Sequence, residues 1–229
     1  MSGRRTALAA LLVAGAWAAP AAAAELVALP GRTVITAPVK SMMELRFVNV
    51  VRQAYDVSCG AAALSTLLTY YYDLPVGEQQ VIETVLKNSS EADKENINRY
   101  GFSMLELKRA GEFFGFSAGG FRIVDIERLA RLKVPALTLV TIGGYKHFVV
   151  IKGIEGGQVY LADPAFGNRS RPLKRFAKEW NSVILVFVSE TREGRGAFTF
   201  EGTTRGRAGD VIPFLDQGAR PPVRVPGEF

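Results

Sequence analysis

Residues 53–72, with the sequence QAYDVSCGAAALSTLLTYYY, contain the only cysteine of the chain, Cys59. The residues after Cys59 are small or good helix formers, and leucines recur three and four positions apart, at Leu64, Leu67 and Leu68. This spacing predicts a helix that starts at Cys59 and buries one face, with Ser58 as its cap. The three tyrosines and the proline that follows them predict where the helix ends.

The position of Cys59 in the first turn of this helix gives it a chemical interpretation. Free N–H groups and the positive end of the helix dipole lie at that turn, and both favour thiolate over thiol. Other interpretations stay open, because a lone cysteine is often a small buried residue, and this one could also pair between chains. An internal disulfide is excluded, since the sequence has one cysteine.

The two ends of the chain differ in composition from its centre. Arg4 and Arg5 precede an apolar run at residues 7–19, and small residues up to Ala24 follow, which predicts a secretory signal peptide at 1–24. Residues 25–46 are predicted as an extended lead-in, and residues 190–229, rich in Gly, Arg, Pro and Thr, as a flexible tail. No second long apolar run follows, so we expect no stable membrane insertion.

The charge of the chain is a weak indicator of partners. Without the signal, 26 basic side chains face 22 acidic ones. The excess lies in the tail and in a basic run at residues 169–178 that includes Arg169 and Arg171, and neither region has the interleaved aromatics of a nucleic-acid surface. We therefore expect no nucleic-acid partner and interpret the basic run as a solvated face.

The pattern of the first half is mainly helical. Helical spacing continues at residues 77–87 and at 103–114, where Ser103 and Glu106 are spaced as a capping box. Residues 44–51 alternate enough to predict a strand, and the polar residues 88–100 predict a surface loop or lid.

The second half changes to the alternation of strands. Short helices are predicted at residues 125–132 and 172–180, and a loop at 163–170. The predicted strands are residues 116–123, 134–141, 145–154, 158–162 and 182–188. Helices first and antiparallel strands second predict an α+β fold.

The only histidine, His147, lies near the start of the predicted strand 145–154. Asp163 stands at the end of the next strand, beyond a Gly-Gly turn, so pairing of the two strands would bring both side chains together. A carboxylate there would fix the tautomer of the ring and stabilise its charged form. Taken singly, His147 could be an ordinary core or surface residue, and Asp163 a turn residue before Pro164.

Three separated motifs resemble those of the double-glycine leader peptidases, cysteine peptidase family 39, which process bacteriocin-type precursors. They are Gln53 six residues before Cys59-Gly60, the stretch His147-Phe148-Val149-Val150, and the stretch Leu161-Ala162-Asp163-Pro164. The resemblance covers residues 47–189 and implies a papain-like α+β peptidase domain. It implies that Cys59 is the nucleophile, His147 the general base and acid, Asp163 the residue that orients the ring, and Gln53 the oxyanion-hole donor, with no cofactor and no metal.

The predicted signal makes the chain similar to exported, stand-alone members of the family, including the peptidase-like component of functional-amyloid secretion systems. That similarity implies a periplasmic peptidase that cuts after small residues, such as Gly-Gly, in a secreted or amyloid-forming partner or another secretion-system component. Ser58 departs from the aspartate that many members carry before the cysteine, so the resemblance does not fix the leader specificity. Two alternatives stay open: a docking module that cleaves nothing, and a hydrolase of the same fold that acts on another amide.

Overall fold

The computed structural model describes residues 41–194, and the strands in this range form one antiparallel sheet. In chain order they are β1 Ser117–Arg122, β2 Ala136–Ile142, β3 Tyr145–Glu155, β4 Gln158–Asp163, β5 Gly167–Pro172 and β6 Trp180–Val188. Across the sheet the order is β1-β6-β2-β3-β4-β5. The last of these strands in the sequence, β6, therefore lies between β1 and β2.

Most helices precede the sheet in sequence. They are α1 Met42–Arg46, α2 Cys59–Thr66, α3 Glu78–Lys87, α4 Glu91–Tyr100 and α5 Met104–Phe113, followed by α6 Ile126–Leu129 and α7 Leu173–Glu179 between strands. A π-helical turn, Leu67–Tyr71, continues α2. This order of helices and antiparallel strands confirms the predicted α+β class.

The sheet is covered on both faces, and β3 shows how. Phe148 and Val150 belong to the apolar cluster that includes the buried side of α2 and α5, whereas Val149 and Ile151 belong to the cluster that includes Phe176 of α7. The alternation agrees with the predicted strand period. The two clusters therefore place α2 and α7 on opposite faces of β3. Burial of each aliphatic side chain in these clusters stabilises the fold by about 1.5–3 kcal/mol.

The β3–β4 hairpin sets the geometry of the candidate site. Gly156 and Gly157 have φ angles of 56° and 74°, the left-handed backbone that a tight hairpin turn requires. Pairing runs from Glu155 opposite Gln158 to Val150 opposite Ala162. The start of β3 and the end of β4 therefore lie side by side, at the end of the hairpin away from its turn.

The predicted strand at residues 44–51 is wrong. Its first part lies in the short helix α1, and its last part is a turn in which Asn49 has a φ of 57°. A left-handed residue cannot continue an extended strand, and methionine and leucine favour helix. The alternation of residue types was too short to override these local preferences.

The predicted loop or lid at residues 88–100 is also wrong, because residues 91–100 form α4. The Ser90 hydroxyl accepts the Asp93 N–H at 3.2 Å, and the Asp93 carboxylate faces the Ser90 N–H in return, which completes a capping box. Only Ile97 of this helix is buried. The helix was missed because one buried side chain gives almost no apolar periodicity.

The predicted loop at residues 163–170 contains the start of β5. This strand pairs with β4 from Asp163 opposite Gly167 to Gln158 opposite Pro172. Its residues are mostly polar, so the strand has no apolar alternation to reveal it. It is an edge strand, which explains why so polar a sequence is tolerated.

The predicted signal peptide at 1–24 lies outside the described residues, as do most of the predicted lead-in and of the predicted tail. Between residues 41 and 194, none of the helices has the length and apolar character needed to cross a membrane.

Candidate active site

Cys59 is the first residue of α2 and is partly buried, whereas the rest of that helix is buried. The next residue, Gly60, is in close contact with the sheet side of the core. A Cβ atom on Gly60 would lie 2.9 Å from Leu107 Cδ1 and 3.1 Å from the Phe148 ring. Glycine lets the first turn of α2 lie close against Phe148 of β3, the residue next to His147.

The loop before Cys59 is held in place by hydrogen bonds from three directions. The Gln53 N–H donates to the Pro164 carbonyl at 3.0 Å, which joins the loop to the residue after Asp163. The Ala54 N–H donates to both carboxylate oxygens of Glu78, at 3.2 and 3.1 Å. The Ser58 hydroxyl donates to the Tyr55 carbonyl at 2.8 Å.

Ser58 occupies the cap position of α2, as predicted, but its side chain caps nothing. Its hydroxyl also accepts the Tyr55 N–H at 3.2 Å, so both of its hydrogen bonds stay within the loop. The predicted capping bond is wrong. The Ser58 side chain thus accepts none of the N–H groups of the first turn of α2, whereas its backbone carbonyl accepts the Ala62 N–H at 3.0 Å.

The side chain of Gln53 is oriented by its own loop. Its Nε2 donates to the Tyr55 carbonyl at 3.0 Å, and its Oε1 is buried without a hydrogen-bond donor among the described residues. An amide nitrogen carries two hydrogens, and the Tyr55 carbonyl accepts one of them. Nε2 therefore keeps one hydrogen for another acceptor.

His147 and Asp163 are in direct contact, as the strand pairing predicted. His147 Nε2 lies 2.7 Å from Asp163 Oδ1. Because an ionised carboxylate only accepts, Nε2 carries the hydrogen of this bond. The other ring nitrogen, Nδ1, is left for exchange with a thiol.

The Asp163 carboxylate is fully buried, with N–H donors on one oxygen and a guanidinium beside the other. Oδ1 also accepts the backbone N–H groups of Ala165 at 2.9 Å and Phe166 at 3.1 Å. Oδ2 lies 2.5 Å from Arg169 Nη2 in an ion pair. These contacts fix the carboxylate on both sides, so it can hold the histidine ring in one orientation.

The environment of His147 raises its pKa from 6.5 to about 9. Burial alone would lower the pKa, but the hydrogen bonds and negative charges of Asp163 and of Cys59 outweigh it. For Asp163, burial opposes ionisation, yet the hydrogen bond to His147 and the charges of His147 and Arg169 hold the pKa of the carboxyl below its usual range. The surroundings of the His147 ring therefore favour its protonated form.

This environment predicts a pH dependence. A pKa raised to about 9 keeps the ring protonated at neutral pH, so we expect any activity that needs the imidazolium to fall as pH rises through about 9. The protonated ring contributes its full stabilisation to the folded protein below pH about 6.5, the pKa of an ordinary histidine. This contribution to the free energy of unfolding is lost as the pH rises from about 6.5 through about 9. Urea unfolding at pH 7 and at pH about 10 tests this, and the His147→Gln variant, which cannot titrate, is the control. Equal losses of stability in both proteins would contradict the prediction.

Two features of the site were not predicted from the sequence. Arg169 and Arg171 were assigned to a solvated face, but their side chains are only 17% and 22% exposed, and that assignment is wrong. Glu78, which holds the loop at Ala54, was not singled out. The sequence marks Glu78 only as an acidic residue at the start of a helix, and this feature is too common to indicate a role in the site.

No group of three or more His, Cys, Asp and Glu side chains within residues 41–194 is arranged to hold a metal ion.

Comparison with known proteins identifies the family of this domain. The model of the Peptidase C39 family matches residues 47–192. A probable functional amyloid protease, FapD, of Pseudomonas aeruginosa is 44% identical over 163 residues, which are 71% of this chain and 70% of the relative. The protein of the same description from Pseudomonas fluorescens is 42% identical over 181 residues, 79% of this chain and 77% of the relative.

A solved structure supports the same fold. The peptidase domain of Streptococcus ComA, a bifunctional ABC transporter, superposes with a TM-score of 0.53 at 19% identity, covering 62% of this chain and 98% of that domain. This likeness confirms the predicted papain-like architecture. Together with the family match, it shows that the chain belongs to the Peptidase C39 family of cysteine peptidases.

Proposed function

We propose that this protein is an exported cysteine peptidase in which Cys59, His147 and Asp163 act as the catalytic triad and Gln53 supplies an oxyanion-hole donor. The observation that carries the proposal is the contact of 2.7 Å between His147 Nε2 and the buried carboxylate of Asp163. It leaves Nδ1 for Cys59, which influences the ring as a hydrogen-bonding and charged neighbour. Cys59, His147 and Asp163 thus form a chain of contacts in which the ring lies between the thiol and the carboxylate.

In the proposed reaction, the Cys59 thiolate attacks the carbonyl carbon of the scissile bond. The oxyanion that forms accepts hydrogen bonds from the Cys59 N–H and from the second Nε2 hydrogen of Gln53. The His147 imidazolium gives its proton to the leaving amine, and a thioester remains on Cys59. Neutral His147 then takes a proton from water, the hydroxide attacks the thioester, and the acid product leaves as the thiolate–imidazolium pair is restored.

For the substrate we propose a secreted or amyloid-forming protein that is cut after small residues such as Gly-Gly. The Pseudomonas relatives described as functional amyloid proteases support the class of partner. The resemblance to double-glycine leader peptidases supports the cleavage site. Export to the periplasm is proposed from the features of residues 1–24, and the intact mass of the secreted protein tests it, because removal of the signal after Ala24 would leave Glu25 as the first residue.

The experiment for the activity is incubation of the purified protein with secreted proteins encoded next to it, followed by mass spectrometry of the products. Each substrate is tested with its Gly-Gly intact and with both glycines replaced by valine. Cleavage of the intact form alone supports the proposal. Binding without cleavage, with a Cys59→Ala variant that behaves like the wild type, would show a docking module instead.

Replacing Gln53 with alanine is expected to lower kcat by about 10²–10³, the usual cost of losing one oxyanion-hole donor. Its amide acts on the charge of the transition state, so alkylation of resting Cys59 by iodoacetamide should stay near the wild-type rate. Gln158→Ala, at the far turn of the β3–β4 hairpin, is the matched control and should leave both rates unchanged. A Gln53→Ala variant that cleaves like the wild type would remove Gln53 from the mechanism.

A further inference from the structure

The carboxylate of Asp163 has unequal surroundings on its two oxygens. Oδ1 accepts from His147 and from two backbone N–H groups, at 2.7, 2.9 and 3.1 Å. Oδ2 is buried, and the charged group beside it is Arg169, whose Nη2 lies at 2.5 Å. One oxygen is therefore used to orient the ring, and the other is balanced by a cation.

The register of β5 delivers this cation. Arg169 is opposite Leu161 on β4, so it shares a sheet face with Leu161 and with Asp163 two residues further on. Its guanidinium lies 5.3 Å from the centroid of the Phe166 ring, and that ring meets the His147 ring edge to face at 6.3 Å. The guanidinium thus contacts the carboxylate and also the aromatic ring beside the histidine.

The charges around this pair come from several elements. His147 on β3 faces Asp163, and Cys59 on α2 faces His147. Arg171 on β5 and Glu179 on α7 act on Arg169 with opposite signs, and the two are 3.7 Å apart. Arg169 is the cation beside Asp163 Oδ2, the carboxylate oxygen that does not bind His147.

The charges of the proposed resting state give Arg169 a role. In that state a thiolate, an imidazolium and a carboxylate sum to one negative charge in a partly buried site, and the guanidinium makes the sum zero. A buried carboxylate that loses a cationic partner tends to take up a proton instead. A protonated Asp163 would no longer accept a charged hydrogen bond from the ring.

We propose that Arg169 is a positioning residue that keeps Asp163 ionised and fixed in orientation, so that the carboxylate holds the His147 ring toward Cys59 under acidic conditions as well as neutral ones. This inference rests on the proposed catalytic role of the triad. A merely structural role, joining β5 to β4, would affect stability but would not change how activity depends on pH. The two roles are therefore separable by experiment.

The test compares Arg169→Met, Arg169→Gln and Arg169→Lys with the wild type. Arg175→Met is the matched control, because Arg175 is 62% exposed and pairs with Glu179, not with Asp163. The rate of Cys59 alkylation by iodoacetamide and the turnover of a cleaved peptide are measured from pH about 4 to 8. We expect the uncharged variants to lose about tenfold more rate between pH about 7 and 5 than the wild type does.

Arg169→Lys, which keeps the charge, should restore the acid side of the profile while it recovers only part of the turnover, since a lysine cannot reproduce the guanidinium fork. Arg169→Gln gives the same comparison if the methionine variant does not fold. Uncharged variants whose profiles match the wild type and Arg175→Met, with only a lower melting temperature, would overturn the inference. Failure of the proposed function is a different result: the wild type itself would then show no rapid alkylation and no cleavage that depends on Cys59.

Discussion

Replacing Cys59 with alanine is expected to reduce peptide cleavage by roughly 10⁶-fold, to the level left when the nucleophile of a hydrolase triad is removed. The expected loss is this large because Cys59 forms the covalent intermediate in the proposed mechanism, and the remaining groups can only bind the substrate and stabilise charge. Single-turnover assays with purified protein measure it.

The fold should survive this substitution. Cys59 is only partly buried and starts α2, where alanine has a favourable helix propensity. The melting temperature should change by no more than a few degrees, and substrate binding should persist. Cleavage by the alanine variant at more than about 10⁻³ of the wild-type rate would show that another group is the nucleophile.

Replacing His147 with alanine is expected to cost nearly as much turnover as the loss of Cys59. The ring is the single group that both faces the thiol and is held by Asp163 among the described residues. In the proposed mechanism the variant therefore loses the cation beside the thiolate and the donor for the leaving amine. Because the two residues act as a unit in that mechanism, the Cys59→Ala, His147→Ala double variant should be no slower than either single variant. Losses that multiply in the double variant would show that His147 acts independently of Cys59.

The control for this substitution is Glu155→Ala, at the other end of β3. It should keep turnover near the wild-type rate, because Glu155 is exposed and lies beside the Gly156-Gly157 turn, away from the site. A loss of turnover in this control would mean that β3 as a whole, and not the imidazole ring, is sensitive to substitution.

The elements that position the site were predictable where the side-chain pattern is strong. Helix α2 follows from small residues and leucines at helical spacing, and the β3–β4 hairpin follows from two alternating runs joined by Gly156-Gly157. The contact of His147 with Asp163 follows from that hairpin alone. In each case the local sequence and the long-range packing require the same structure.

The polar elements could not be predicted, because they lack the apolar pattern that identifies the others. Helix α4 buries one side chain, Ile97, and edge strand β5 reads Gly-Asn-Arg-Ser-Arg-Pro, so neither has an apolar period. The role of Arg169 was missed because β5 was predicted as a loop, and an arginine in a loop is usually solvated. Its burial depends on a partner, Asp163, that only the register of β4 and β5 reveals.

The most direct test of the central claim is the rate at which iodoacetamide alkylates Cys59 near pH ~6, in the wild type and in His147→Ala. An ordinary thiol, with a pKa of about 8.5, is almost wholly protonated there and reacts slowly. If His147 is the imidazolium partner of a Cys59 thiolate, the wild type should react at least about tenfold faster than free cysteine, and His147→Ala should lose that advantage. A wild-type rate no faster than free cysteine, unchanged by the loss of His147, would contradict the catalytic assignment.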